Sequence, residues 1–472
     1  MLDTIVSSIN TVLWGYILMY ALLAVGIFYS FYLGWPQLIR FRPAVKQLFG
    51  KLYKYNPKLR DGTKVSSYQA LAVAISAQVG TGNVAGVATA IVAGGPGAIF
   101  WMWVSAFFGM GTIFAEAVLS QQYRKETKDG TFIGGPAYYI SHGLKRYIGR
   151  GWANFLAGFF AIAIIIALAF IGNMVQSNSI ALSLGNAFDV NPLYIGIILA
   201  ILAGLIFIGG IKRIATFAQI VVPIMAAIYI VTSIAILIEF GSHLPAAIYN
   251  IFLAAFNPEA VGGGILGVTM KEAIRYGVSR GLFSNEAGMG STPHAHATAF
   301  VAHPVLQGFT AFIGVFFDTM VICTATALII LSTGAHTVGA DGALVTQEAF
   351  RIAFGDIGPK LIAVCLTFFA FTTVVGWYYF GESNVRFLFK GATSISIYRI
   401  LVLVCIILGT LGKVELVWSL SDLFNGIMVI PNLIAIVLLR KEVKKLLHDY
   451  DFRRQGGVPI YHYPKVKRSR FE

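Results

Sequence analysis

The chain has 472 residues, of which 57% are hydrophobic and only 12% carry a charge. Soluble domains have about 25% charged residues, so this composition excludes a soluble domain with a fully polar surface. The formal net charge is +14, but the basic residues cluster in connections between long apolar runs, which is typical of membrane proteins and not of nucleic-acid interfaces. We therefore predict an all-α polytopic membrane protein.

Eleven apolar segments have the length of a membrane span. They are 10–33, 68–95, 98–120, 151–183, 192–211, 215–240, 265–300, 305–332, 357–382, 393–412 and 416–440. If the N-terminus is outside, every cytoplasmic connection except the short 301–304 link is basic, whereas the outer connections 184–191 and 241–264 contain no Lys or Arg. The charge bias therefore predicts a multi-pass plasma-membrane protein with its N-terminus outside and its C-terminus in the cytoplasm.

Two of these segments contain glycine-rich polar runs near their middle. Residues 76–83 interrupt the segment 68–95, and residues 283–293 interrupt the segment 265–300. Because glycine weakens a helix that has no water to satisfy its backbone, we predict two broken helices. Four spans follow each of them, and paired breaks in two inverted halves indicate the binding site of a secondary transporter.

This spacing divides the chain into five parts. They are an extra N-terminal helix with a basic cytoplasmic loop (1–67), a first five-helix unit (68–240), an extracellular link (241–264), a second five-helix unit (265–440) and a basic cytoplasmic tail (441–472). Because five is odd, the two units must run through the membrane in opposite directions.

A break in a helix exposes unpaired backbone groups at mid-membrane. Amides near Thr81–Asn83 would attract a carboxylate, and carbonyls near Ser76–Val79 and Phe283–Ser284 would suit a small cation or an ammonium group. Gly80 and Gly82 would let a ligand approach the backbone closely. These features predict a site for an amino-acid zwitterion and a sodium ion.

The run Asn285–Ala297 closely resembles the signature of the alanine/glycine:cation symporters, and Gln78–Asn83 and Gly134–Pro136 are also similar to that family. The resemblance covers essentially the whole chain. It implies a LeuT-like five-plus-five inverted repeat and symport of a small neutral amino acid, alanine or glycine, with sodium as the coupling ion. Some relatives take glutamine or use protons. The resemblance implies no enzyme activity, no other cofactor and no obligate protein partner.

The resemblance also implies specific site residues. The sodium ligands would be Ser76, Val79, Phe369, Thr372 and Thr373, although membrane threonines often bond only to their own backbone. The substrate residues would be Gly80, Thr81, Gly82, Asn83, Asn173, Gln176, Phe283, Ser284, Gly288, Met289 and Trp377. Helical spacing puts Asn173, Gln176 and Ser177 on one inward face, which is equally consistent with interhelical hydrogen bonding. Trp377 would either limit the size of the substrate or only pack against neighbouring side chains.

Several ionisable residues within the spans have alternative interpretations. Glu286 would have a structural or gating role, pairing with Arg280 or capping a half-helix, or would contact the ligand. Asp318 would be a coupling residue or pair with a polar neighbour. His294 and His296 point to different faces of a helix, which disfavours a shared metal. A channel or a transporter-like receptor remains as a rival class, distinguished by counterflow.

Overall fold

The computed structural model describes residues 2–49, 64–127, 129–257, 269–340, 342–389, 391–412 and 414–456. The N-terminal part contains α1 (Leu2–Val12, continued by Leu13–Leu18 and Met19–Tyr32), α2 (Pro36–Ile39), α3 (Phe41–Phe49), α4 (Ser67–Gln78), α5 (Gly82–Gly94) and α6 (Gly97–Gln122). A short antiparallel hairpin of β1 (Lys125–Glu126) and β2 (Phe132–Ile133) follows α6.

The remaining elements are again almost entirely helical. They are α7 (Pro136–Gly143), α8 (Lys145–Phe188), α9 (Pro192–Phe207), α10 (Gly210–Glu239), α11 (Leu244–Phe256), α12 (Met270–Asn285), α13 (Pro293–Thr298), α14 (Pro304–Thr333), α15 (Ala343–Phe354), α16 (Ile357–Leu388), α17 (Ala392–Leu411), α18 (Val414–Leu438) and α19 (Arg440–Gln455).

Among the described residues, eight helices are long and apolar enough to cross a membrane, and α4 with α5 forms a ninth candidate. The predicted segment 192–211 corresponds to the shorter apolar helix α9, and the described part of 265–300 corresponds to α12 and α13. The prediction of a helical membrane protein is therefore confirmed. Eleven crossings and an inverted repeat remain predictions.

Both predicted helix breaks are present, and local signals define their ends. A capping box between Ser66 and Gln69 begins α4, which ends at Gln78 with Val79 as its C-cap, and α4 and α5 meet at a bend of 50°. A second capping box begins α12, which ends at Asn285 with Glu286 as its C-cap in the left-handed conformation, at φ of 57°. Capping boxes satisfy the first amides of a helix, so each broken helix starts firmly and is interrupted only at its polar run.

The two breaks lie at the centre of the protein. Every residue in 76–88 and in 281–299 is buried. Helix α4 packs against α10 and α16, α5 packs against α12, and α6 packs along α12 and α14. By contrast, α9 and α10 expose large apolar side chains such as Ile201 and Ile228, as expected of helices that face lipid.

Several predicted connections contain helices that a search for long apolar runs does not detect. The predicted link 241–264 contains α11, the connection 333–356 contains α15, and the predicted tail 441–472 includes most of α19. These helices are too short or too polar to resemble a membrane span. A helix that buries only one face against the bundle needs apolar residues on that face alone, so it does not produce a long apolar run. Residues 258–264 of the link, 265–268 of the second five-helix unit and 457–472 of the tail lie outside the described residues.

Candidate functional site

The first break meets α16 at the hydroxyl group of Thr373. The hydroxyl oxygen lies 3.0 Å from the carbonyl oxygen of Ser76, 3.1 Å from that of Phe369 and 3.4 Å from that of Val79. A hydroxyl can donate only one hydrogen bond at a time, so four oxygen atoms converge where one proton is available. This buried set of neutral oxygens has the donor chemistry that hard cations prefer.

The hydroxyl group of Thr372 has different contacts from that of Thr373. Its hydroxyl donates to the Phe369 carbonyl at 2.9 Å and contacts the Met225 Sδ atom at 3.5 Å. Four of the five predicted sodium ligands are therefore brought together, and Thr372 adjoins them through the Phe369 carbonyl. The bond from Thr372 is the local backbone contact that is common for threonine in membrane helices.

The backbone amides of the first break are held by side-chain oxygens. The Gly80 amide donates to Asn83 Oδ1 at 2.9 Å, and the Thr81 amide donates to Gln176 Oε1 at 3.2 Å. A side chain at position 80 would collide with the Thr373 hydroxyl, so glycine is needed there for the close approach of α16. The structure thus brings the predicted amide donors together with Gln176 from α8.

The second break lies directly against the first. A Cβ atom on Gly82 would lie 3.1 Å from Ser284 Cα and 3.3 Å from Phe283 Cδ1. The two interrupted helices therefore meet near the centre of the bundle, as the sequence predicts.

Several buried polar atoms near this junction have no hydrogen-bond partner among the described residues. They include Thr81 Oγ1, Asn173 Oδ1 and, in the first break, Gln78 Oε1. Asn173 lies on α8 one turn before Gln176, and its Nδ2 donates to the Ala169 carbonyl at 3.0 Å. Because buried polar atoms are normally paired, an unpaired hydroxyl and an unpaired amide oxygen are what a site for a small polar ligand would present.

An aromatic group lies beside the junction. The rings of Phe283 and Trp377 are 6.2 Å apart at an interplanar angle of 86°, and Phe283 is 5.4 Å from Trp418. Phe283 also lines a cavity together with Arg280 and Asp422, and that cavity extends to Asn10 and Trp14 of α1. Phe283 therefore contributes both to the junction and to the cavity.

A buried carboxylate links the two breaks. Asp318, on α14, accepts hydrogen bonds from Asn83 Nδ2 at 2.6 Å, from Ser284 Oγ at 3.0 Å and from Thr319 Oγ1 at 2.8 Å. Asn83 belongs to the first break and Ser284 to the second. The expectation that Asp318 pairs with polar neighbours is confirmed, and the pairing joins both interrupted helices.

Two further acids support the second break. Glu116 accepts the Gly288 amide at 3.1 Å, the Gly290 amide at 3.0 Å and Asn432 Nδ2 at 2.5 Å. The backbone amides that the break exposes are thus paired with a carboxylate from α6, in agreement with the requirement that buried amides find partners. Glu286 accepts from the indole of Trp377 and from Ser291.

Some predicted residues lie apart from this junction. A Cβ atom on Gly288 would face Leu22 of α1, and the Met289 amide donates to the Glu286 carbonyl at 3.2 Å. Ser177 packs against Gly409. These three residues are buried, but the contacts described above lie away from Gly80–Asn83.

Of the two structural alternatives for Glu286, capping of the half-helix is confirmed, because Glu286 is the C-cap of α12, and pairing with Arg280 is wrong. Arg280 instead forms a bidentate ion pair with Asp422, with both oxygens at 3.0 Å. Positions 280 and 286 are six apart along the chain, and this spacing puts them on different faces of a helix. The sequence did not single out Trp418, Asp422 and Asn432 of α18 as site residues. Asp422 and Asn432 could have been found, because polar residues within an apolar segment need partners in a membrane.

Comparison with known proteins shows a family relationship over the whole length. The sequence profile of the sodium:alanine symporter family matches residues 1–462. The chain is 41% identical over 470 residues to the probable sodium/glutamine symporter GlnT of Bacillus subtilis, which covers 99% of this chain and 95% of that protein. It is also 41% identical over 440 residues to the sodium/alanine symporter AgcS of Methanococcus maripaludis, covering 92% and 94% of the two chains.

Solved structures show the fold. MhsT in complex with L-phenylalanine matches with a TM-score of 0.57 at 14% identity, covering 80% of this chain and 89% of that chain. A manganese transporter of Eremococcus coleocola matches with a TM-score of 0.56 at 13% identity, covering 86% of each chain. The chain therefore has the LeuT-like transporter fold, as predicted, and the fold and family are those of transporters and not of enzymes.

Proposed function

The chain belongs to the sodium:alanine symporter family, and we propose that it carries a small neutral amino acid, alanine or glycine, into the cell together with sodium. Membership of the family supports sodium-coupled symport of an amino acid across a membrane. The choice of substrate, the direction of transport and the residues of the site are our proposals. We also propose a plasma-membrane location with the N-terminus outside, which rests on the charge bias of the connections.

The proposed sodium site lies between the first break and α16. The observation that carries it is the convergence of three carbonyl oxygens on the Thr373 hydroxyl. A sodium ion there would be held by neutral oxygens, with Thr372 as a further ligand after a rotation of its side chain. Because neutral oxygens bind a monovalent ion without a large excess of negative charge, such a site suits an ion that must also be released.

The proposed amino-acid site adjoins the sodium site on the same backbone segment. The Gly80 and Thr81 amides would bind the substrate carboxylate, displacing the oxygens of Asn83 and Gln176 that now accept from them. The unpaired Thr81 hydroxyl and Asn173 Oδ1 offer a donor and an acceptor to the same zwitterion. Gly82, Phe283, Ser284 and Trp377 would surround the substrate, with Gly288 and Met289 as outlying members of the predicted set.

The proposed transport cycle follows from this shared segment. Sodium binding orders the first break and fixes the carboxylate site, the amino acid then binds, and the loaded protein moves to the inward-open state. We propose that two five-helix units, 68–240 and 265–440, form the inverted repeat whose relative movement gives alternating access. A membrane potential of about 100 mV supplies about 2.3 kcal/mol per sodium ion, or about fifty-fold accumulation of substrate.

A second candidate substrate is glutamine. The relative from Bacillus subtilis that is 41% identical carries the name sodium/glutamine symporter, and another relative is named a sodium/proton-dependent alanine carrier. Both alternatives keep the same fold and the same overall mechanism. They differ only in the contacts of the substrate side chain and in the coupling ion.

Uptake into proteoliposomes tests the proposal. Labelled alanine, glycine and glutamine would be supplied with a sodium gradient, with a proton gradient, and with each gradient in the presence and absence of a membrane potential. We expect sodium-dependent uptake of alanine or glycine that the potential increases. Counterflow from preloaded alanine would support a carrier over a channel, and net flux would exclude a receptor. Uptake of glutamine alone, or uptake driven only by protons, would overturn the substrate or ion assignment.

A further inference from the structure

The indole ring of Trp377 is fixed on three sides. Its Nε1–H donates to Glu286 Oε1 at 2.5 Å. One part of the ring packs against the backbone at Gly172, where a Cβ atom would lie 2.7 Å from the ring. On another side the ring meets Phe283 nearly at right angles. Trp377 is only 2% exposed, so its orientation is determined by these neighbours and not by solvent.

Glu286 is held as firmly as the ring that it contacts. It ends α12 in the left-handed conformation with φ of 57°, where its amide donates to the Leu282 carbonyl at 2.8 Å. Residues other than glycine are uncommon in this conformation. The second carboxylate oxygen accepts from Ser291 at 2.5 Å. A residue at the turning point of the second break is therefore tied directly to α16.

A hydrogen bond of this kind has a strong effect on the position of the ring. A buried indole N–H normally requires a partner, and here the partner is a carboxyl oxygen of Glu286. If the acceptor were removed, the indole would have to move to find another partner, and Gly172 leaves no space on its own side. The ring would therefore move toward Phe283 or away from the junction.

We propose that Glu286 determines the size of the accepted amino acid by positioning Trp377. This inference rests on the proposed function, because it assigns the selectivity of that same site. In the present orientation the ring lies 6.2 Å from Phe283, which we place beside the substrate side chain. Glu286 itself does not contact the substrate, and its effect is transmitted entirely through the indole.

The ratio of kcat/KM for alanine to kcat/KM for glutamine, measured by sodium-driven uptake in proteoliposomes, tests this proposal. Glu286→Ala removes the acceptor, and Glu286→Asp withdraws the carboxyl group from the indole while keeping an acidic side chain that tolerates the left-handed conformation. We expect both variants to change the ratio about tenfold, which corresponds to about 1.4 kcal/mol, lowering it if the ring withdraws from the junction and raising it if the ring moves toward Phe283. Glu286→Gln, which keeps an acceptor oxygen, should retain the ratio within about twofold.

Two controls separate positioning from a general structural role. Ser291→Ala removes the other donor to Glu286 without touching the indole, and it should leave the ratio unchanged. In a Trp377→Phe background, which has no indole N–H, Glu286→Ala should cause no further change, because residues that act through one contact are not additive. Melting temperatures of the purified variants would be recorded alongside.

The outcomes are distinguishable. If Glu286→Ala and Glu286→Asp lower both rates equally and leave the ratio intact, Glu286 has only a structural role and the inference is overturned. An additive effect in the Trp377→Phe background would also overturn it. If the unsubstituted protein shows no sodium-driven uptake of any amino acid, the proposed function itself fails, whatever the variants do.

Discussion

The hydroxyl of Thr373 offers the most direct test of the proposed sodium site. Thr373→Val removes the hydroxyl at nearly constant volume, whereas Thr373→Ser keeps it. The lost oxygen lies between 3.0 and 3.4 Å from three carbonyl oxygens, so its removal deletes the central ligand of the group. A polar contact to a charged partner contributes about 1.5–3 kcal/mol, which predicts a sodium requirement about 10- to 150-fold higher.

The assay is alanine uptake into proteoliposomes over a range of sodium concentrations. We expect Thr373→Ser to stay within a few-fold of the unsubstituted protein and Thr373→Val to recover uptake only at high sodium. Thr372→Val is the matched control, because its hydroxyl bonds the Phe369 carbonyl and contacts Met225; we expect a smaller increase. Equal sodium dependence of Thr373→Val and Thr373→Ser would refute the placement of the ion.

Three further predictions follow from single contacts. Gly80→Ala should reduce uptake at least tenfold because its methyl group collides with α16, whereas Gly86→Ala, which meets no atom within 4 Å, should transport normally; equal uptake by both would contradict the close approach. Glu116→Gln has one acceptor oxygen for three buried donors and should lower the free energy of unfolding by about 1–3 kcal/mol, measured as a lower melting temperature; an unchanged value would count against this pairing. Burial lowers the pKa of His303 below 6.5 although Asp449 pairs with it, so the unfolded chain binds the proton more readily and stability falls as the pH drops below about 6.5. His303→Gln should flatten the dependence of melting temperature on pH between about 7.5 and 5.5, and an identical pH dependence would exclude this contribution.

The positions of both breaks could be predicted from sequence because their causes are local. Glycines and polar residues in 76–83 and 283–293 weaken the helix at those positions, and in the structure α4 ends at Gln78 and α12 at Asn285. The contact between Thr373 and the first break was predicted only from the resemblance to a family. Nothing local in residues 357–388 selects that threonine from the others in the same helix.

Other contacts could not be predicted, because they join distant parts of the chain. Asp318 bonds Asn83 across 235 positions, and Glu116 bonds Asn432 across 316. A single sequence shows that such polar residues need partners in a membrane, but not which partners they find. For Glu286, the local alternative of capping a half-helix was correct, whereas the alternative of pairing with Arg280 was wrong, since Arg280 pairs with Asp422 of α18.

The arrangement also suggests how binding of an ion and of an amino acid would be coupled. Coupling requires that each ligand favour the same conformation of a shared element. Val79 offers its carbonyl to Thr373, and the next two amides are the proposed carboxylate donors. An ion that fixes the carbonyl would therefore fix the amides, and the bond from Asn83 through Asp318 to Ser284 would extend that order to the second break. Because no separate signalling element is needed, loss of the Asp318 carboxylate should weaken the dependence of amino-acid affinity on sodium more than it weakens either affinity alone.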